Sequence, residues 1–184
     1  MGNKIINPIL RSLAKNIKIV VLDVDGILTD GKIFFSDKKE EIKAFNIQDG
    51  FGIKLLQENG IKVAIVTGRK SEAVVYRAKE LKIRHIIQGR EDKLTALKEL
   101  LADINYSIEE TAYMGDDFPD LKAISAVKLG ATIPTADPII KNHADWVSTK
   151  NGGNGAVREL ATLILQGKEI YLDALKKFIP DDKK

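Results

Sequence analysis

Short, continuous apolar runs alternate with amphipathic stretches along most of the chain. Ile19–Leu22 reads IVVL, 61–66 reads IKVAIV and Thr111–Met114 reads TAYM. Runs of this kind predict strands buried on both faces. Shorter runs at 86–87, 126–129 and 146–147 extend the predicted set. Between them, 52–58, 71–81, 93–101, 121–125 and 156–165 carry apolar residues at helical spacing, and Leu94, Leu97, Leu100 and Leu101 share one helix face. Ser71 is placed as an N-cap, and Gly60 and Gly130 as breakers. The alternation predicts an α/β fold, a parallel sheet with helices on both faces and a ligand site beyond the carboxyl ends of the strands. One segment departs from it: β-like runs at 32–35 and 42–45 flank Ser36-Asp37-Lys38-Lys39, which predicts a β-hairpin inserted after the first strand.

The length, 184 residues, suits a single domain spanning 1–184, with its core at about 17–166, a C-terminal tail at 167–184 and disorder in 180–184. No run approaches the length of a membrane span, and the first residues lack a signal-peptide pattern; Ile6 stands where a myristoylation signal needs Ser or Thr. The expectation is a cytoplasmic protein without a membrane partner. There is no cysteine, and His85 and His143 are the only histidines. That composition excludes disulfide scaffolds, thiolate zinc sites and thiol nucleophiles, leaving carboxylates, hydroxyls, amines and bound ions. A formal charge of +3 gives no argument for a nucleic-acid partner. Four of the six arginines fall between 69 and 90, either an anion site or a solvated helix face.

The candidate chemistry lies at strand ends. The first predicted strand runs into Asp23-Val24-Asp25-Gly26, so two carboxylates two residues apart can converge on one spot. The second ends in Val66-Thr67-Gly68-Arg69, placing a hydroxyl and a turn at the same edge. Lys93 opens a helix, where its charge opposes the macrodipole. The fourth ends in Gly115-Asp116-Asp117-Phe118-Pro119-Asp120, three carboxylates in five residues that repel unless a cation compensates them. Hard oxygen ligands without His or Cys select magnesium (Mg2+) over zinc. Phosphoryl transfer, which depends on positioning and charge stabilisation, is the reaction this set serves.

Asp23-x-Asp25-Gly26-x-x-Thr29, Thr67, Lys93 and Gly115-Asp116-Asp117-x-x-Asp120 together resemble the haloacid dehalogenase superfamily. DVDGILTDG at 23–31, FNIQDGFGIK at 45–54, VTGRKS at 66–71, Gln88-Gly89 and GGNGAVRE at 152–159 resemble, within it, the 3-deoxy-D-manno-octulosonate 8-phosphate (KDO 8-phosphate) phosphatases of lipopolysaccharide precursor biosynthesis. The resemblance implies a Rossmann-like sheet and an aspartyl-phosphate route. In it Asp23 is the nucleophile and Asp25 the general acid and base. The Asp23 and Asp116 carboxylates and the Asp25 backbone carbonyl bind magnesium. Thr67 and the Gly68 amide hold phosphate, Lys93 neutralises charge, and Asp117 and Asp120 orient these groups. Arg69 and Arg77 are the implied contacts to the sugar-acid phosphate.

About 37 residues separate Asp30 from Thr67, and the later gaps are shorter, which leaves no room for a cap domain. The resemblance implies that a homotetramer, with hairpins joined into a barrel, covers the site instead. The glycine-rich 152–155 stretch reads equally as a cover or a plain loop. Three alternatives stand beside this reading: a phosphatase of a nine-carbon nonulosonate 9-phosphate, a phospho-accepting receiver domain and a catalytically idle assembly module. Receivers place the acidic pair first, the phospho-accepting Asp on a later strand and the Lys last, whereas here Asp23-x-Asp25 leads and the acidic cluster follows Lys93.

Overall fold

A computed structural model describes residues 7–180. Six parallel strands form one sheet: β1 (Ile19–Leu22), β4 (Lys62–Thr67), β5 (His85–Gln88), β6 (Thr111–Met114), β7 (Leu129–Thr132) and β8 (Trp146–Val147), in the order β5-β4-β1-β6-β7-β8. Every β1 residue is fully buried, as its unbroken IVVL run requires. Leu22 pairs with Ile65 on one side and Met114 on the other, so three strand ends meet at one edge. A separate antiparallel pair, β2 (Phe34–Phe35) and β3 (Glu41–Ile42), is the expected hairpin, but its ladder is shorter than expected and 43–45 lies outside it.

Helices α2 (Ile47–Glu58) and α7 (Ala156–Gly167) pack on each other, with α1 (Pro8–Lys15) against α7. Helices α4 (Lys93–Asp103), α5 (Phe118–Ala126) and α6 (Pro138–His143) form a second group, and β4 touches both α2 and α4. Helix α3 (Glu72–Glu80) joins β4 to β5, and α8 (Tyr171–Leu175) packs on α7.

Several expectations are corrected. Helix α2 begins five residues early because the Asn46 side chain accepts from Gln48 N and Asp49 N. The strand expected at 126–129 is β7, three residues later; α5 runs to Ala126. Gly130 is therefore no breaker. It lies mid-strand where the Ile124 backbone leaves no room for a Cβ. Ser71 occupies the N-cap position of α3 without a side-chain bond to it; instead its N–H donates to Gln88 Oε1 at 2.8 Å. Packing also exceeds the expected core of 17–166. Ala14 of α1 is buried near Gly167, Ala174 of α8 is buried, and Phe178 meets Phe51 edge-on at 5.1 Å. The myristoylation reading at Ile6 and the disorder expected for 181–184 lie outside the described residues.

Candidate active site

The carboxyl ends of β1, β4 and β6 bring the acids, Thr67 and Lys93 to one edge of the sheet. Asp23 follows β1, and its N–H donates to Met114 O at 3.0 Å, which locks the loop after β1 to the end of β6. Lys93, the first residue of α4, is buried and donates to Asp23 Oδ1 and Asp120 Oδ1, each at 2.7 Å. Burial alone would lower its pKa; the two carboxylates outweigh that and raise it, so the ammonium is firmly protonated.

Asp120 is saturated. Its Oδ1 accepts from Lys93 and from the buried Tyr113 hydroxyl at 2.6 Å, and its Oδ2 accepts from Asp116 N and Asp117 N, both at 3.3 Å. Carboxylate oxygens of Asp23, Asp116 and Asp120 lie within 4.8 Å of one another. Since Asp120 has its lone pairs engaged, Asp23 and Asp116 are the pair with capacity to bind a cation. Asp116 Oδ1 is buried without any hydrogen-bond partner. Burial, then repulsion from Asp23 and Asp120, pushes the Asp116 carboxyl up to about 7, and the same two causes, burial first, push Asp23 upward. Such a pair is in deficit of positive charge, and its all-oxygen donors fit a hard divalent cation. Asp117 caps α5 by accepting from Phe118 N at 2.8 Å.

Gly26 shapes the opposing loop. Its φ is +93°, and a Cβ there would strike the Asp116 carboxylate. Behind it, Gly152 packs where a Cβ would overlap Gly26 O, Gly153 N donates to Ile27 O at 2.9 Å, and Asn46 Nδ2 donates to Gly153 O at 3.1 Å. The buried Asp49 carboxylate accepts from Gly155 N and Arg158 N, fixing this strap to α2 and α7. The 152–155 stretch thus braces the Asp23–Asp30 loop from behind, a role neither sequence reading of it contained.

Thr67 is buried at the end of β4, with Gly68 next in the chain. Arg69 Nη2 donates to Glu41 Oε2 at 2.7 Å, and its Nε lies 3.8 Å from Asp25 Oδ2. Lys43, with its side chain fully buried, donates to Asp25 Oδ1. Arg77 is engaged elsewhere, with Asn46 O at 3.2 Å, Glu80 at 2.8 Å and the Phe45 ring, so within the chain it braces the start of α2. Sequence reasoning missed Tyr113 and Lys43, and it carried Asp49 only as part of the FNIQDGFGIK resemblance, without its role in holding the strap. Tyr113 had a signal in the TAYM run, a polar tip on a strand otherwise wholly apolar at that end. A cavity of about 670 Å³ lined by Lys62, Val63 and His85 lies at the opposite ends of β4 and β5, away from this chemistry.

Comparison with known proteins decides among the readings of this site. Residues 84–160 match the haloacid dehalogenase-like hydrolase family. The 3-deoxy-D-manno-octulosonate 8-phosphate phosphatase KdsC of Yersinia pestis is 42% identical over 156 residues, 85% of this chain and 83% of that protein. The chain belongs to the KDO 8-phosphate phosphatase family of haloacid dehalogenase-like hydrolases. The KdsC protein of Salmonella typhimurium is 42% identical over 89% of this chain and 88% of its own. The crystal structure of the Moraxella catarrhalis family member, in complex with magnesium ion, phosphate ion and KDO, superposes with a TM-score of 0.91 at 45% identity, covering 92% of this chain and 98% of that one. Membership sets aside the receiver-domain reading and accords with the strand order that opposed it.

Proposed function

We propose that the chain is a magnesium-dependent phosphatase that hydrolyses KDO 8-phosphate to KDO and phosphate, a step of lipopolysaccharide precursor synthesis. The observation that carries this reading is the buried Lys93 ammonium bridging Asp23 and Asp120, beside an Asp116 oxygen that is buried and unpartnered. A fixed cation and a cation-deficient carboxylate pair on one sheet edge suit a phosphate ester. The substrate assignment draws its support from the names of the relatives and the KDO in the Moraxella structure.

Asp23 attacks phosphorus, the bond to the sugar C8 oxygen breaks, and Asp25 protonates that oxygen as it leaves. Asp25 then takes a proton from the water that attacks the aspartyl-phosphate, which releases phosphate and restores the Asp23 carboxylate. The Asp23 and Asp116 carboxylates with the Asp25 backbone carbonyl would hold magnesium, which when bound supplies charge stabilisation at the phosphoryl oxygens. The Thr67 hydroxyl and Gly68 N–H orient phosphate, and Lys93 offsets charge on Asp23 and the phosphoryl group. Asp120 fixes Lys93 and the Asp116 backbone, while Asp117 holds the start of α5. Arg69, 46% exposed in its side chain, presents positive charge to the sugar carboxylate; Arg77 joins it only where its exposed edge faces a ligand.

The reading includes a homotetramer, supported by the outward apolar side chains of Ile33, Phe34, Phe35, Ile42 and Ile47. Among the described residues no helix is long and apolar enough to cross a membrane, and the proposed reaction belongs to the cytoplasm, where sugar phosphates are made. Phosphate release from KDO 8-phosphate and from a nine-carbon nonulosonate 9-phosphate tests the substrate. The expected result is preference for the eight-carbon ester, lost on chelation and restored by magnesium. No hydrolysis of that ester, or activity indifferent to thorough chelation, would overturn the proposal.

A further inference from the structure

Lys43 has no part in the chemistry described so far, yet its placement is costly. Its side chain is fully buried, and a buried ammonium persists only when paired. Its partners are Asp25 Oδ1 and, at 3.3 Å, Glu41 Oε1. Arg69 completes the group, 2.7 Å from Glu41 Oε2 and 3.8 Å from Asp25 Oδ2. Two cations and two carboxylates therefore close a neutral network between the hairpin and the loop after β1. Within it the two Asp25 oxygens differ: Oδ1 is tethered by Lys43, whereas Oδ2 is buried and accepts no hydrogen bond.

We propose that Lys43 is a positioning residue that, by holding Asp25 at Oδ1, fixes the orientation from which the Asp25 carboxyl serves the departing sugar oxygen. This inference rests on the reading of Asp25 as general acid. It gives the hairpin a chemical task besides assembly, because Lys43 follows β3 directly and any shift of the hairpin base shifts the Asp25 carboxyl. Tethering one oxygen of a freely rotating carboxyl removes the misdirected orientations, which is where a positioned acid gains over one in solution.

Leaving-group chemistry separates this role from simple anchoring of the hairpin. The sugar alkoxide of KDO 8-phosphate is a poor leaving group and needs the proton, whereas p-nitrophenolate leaves without one. Because kcat/KM reports only steps through formation of the aspartyl-phosphate, it is the quantity to compare. Lys43→Met is expected to lower kcat/KM for KDO 8-phosphate by about 10- to 100-fold, with p-nitrophenyl phosphate changed by less than about threefold. Lys43→Gln repeats the comparison with a smaller perturbation should the methionine variant fail to fold. Equal losses on both substrates, or no loss on either, would overturn the proposal. Asp25→Asn serves as the reference. If it too loses both substrates equally, the acid reading itself fails; if it is leaving-group selective and the Lys43 variants are not, only the role of Lys43 fails.

Discussion

The Lys93 ammonium donates to Asp23 Oδ1 across 2.7 Å, and both side chains are buried. Seventy residues of chain separate the partners, so the pair exists only when β1 and α4 are docked on the same sheet. Its geometry ties folding to the chemistry.

Removing the cation from this pair should therefore be felt twice. Lys93→Met leaves Asp23 and Asp120 buried without their shared counter-charge, which is expected to cost about 3–5 kcal/mol in the metal-free protein near neutral pH. Chemical denaturation with and without magnesium measures it. Turnover should be lost even in protein that remains folded, and a folded variant with near-native turnover would contradict the assigned role.

Asp116 sets the expected pH dependence. Burial pushes its carboxyl up to about 7 in the folded state, above the usual carboxylate range, so between the two the folded state holds a proton that the unfolded chain releases. The stabilisation from that proton is fully present below the unfolded value and is lost as pH rises through about 7. Asp23 shifts in the same direction. The metal-free protein should thus lose stability from pH 5.5 to 8, while magnesium, which competes with the same protons, should stabilise it more at the higher pH. Thermal melts at the two pH values check this. An equal magnesium-induced shift at both would count against Asp116 as a metal-binding group.

The brace behind the Asp23–Asp30 loop makes a separate prediction. A methyl group at Gly152 would overlap the Gly26 carbonyl. Gly152→Ala should destabilise the fold by about 1–3 kcal/mol, the usual cost of overpacking. Because the displaced backbone carries Gly26 towards Asp116, kcat should fall as well. Denaturation and steady-state kinetics on the same preparation decide it, since unchanged kcat would mean that the strap does not set the loop.

Tyr113→Phe removes one hydroxyl from a saturated carboxylate. Tyr113 donates to Asp120 at 2.6 Å from a fully buried position. The expected loss is about 1 kcal/mol of stability, with a few-fold drop in kcat and little change in KM. A large rise in KM would place Tyr113 in substrate binding instead.

Much of this site is legible in the sequence because its residues end strands. IVVL, IKVAIV and TAYM mark β1, β4 and β6 by apolar continuity, and the polar residues that follow necessarily emerge at one edge. Lys93 is legible for the opposite reason, as a charge placed against a helix dipole. Hidden were features that depend on distant chain segments meeting. Lys43 reads as one lysine among many until the hairpin folds over Asp25. Asp49 reads only as one residue of FNIQDGFGIK until Gly155 and Arg158 arrive with their N–H groups. Strand β7 was expected three residues early for a packing reason: Leu-Gly-Ala-Thr has too little apolar bulk to mark the strand's true position, because the Ile124 backbone occupies the space beside Gly130. Arg77, selected for its residue type, is used largely within the chain, which composition alone does not reveal.

The central claim is that Asp23 becomes phosphorylated while KDO 8-phosphate is hydrolysed. Rapid acid quenching during turnover, followed by peptide mass spectrometry, tests it most directly. The account predicts a phosphoryl group on the peptide containing Asp23, absent after chelation and absent in Asp23→Asn, which should have lost turnover. An Asp23→Asn protein that still hydrolyses the ester at the native rate, with no phosphorylated peptide in either form, would contradict it.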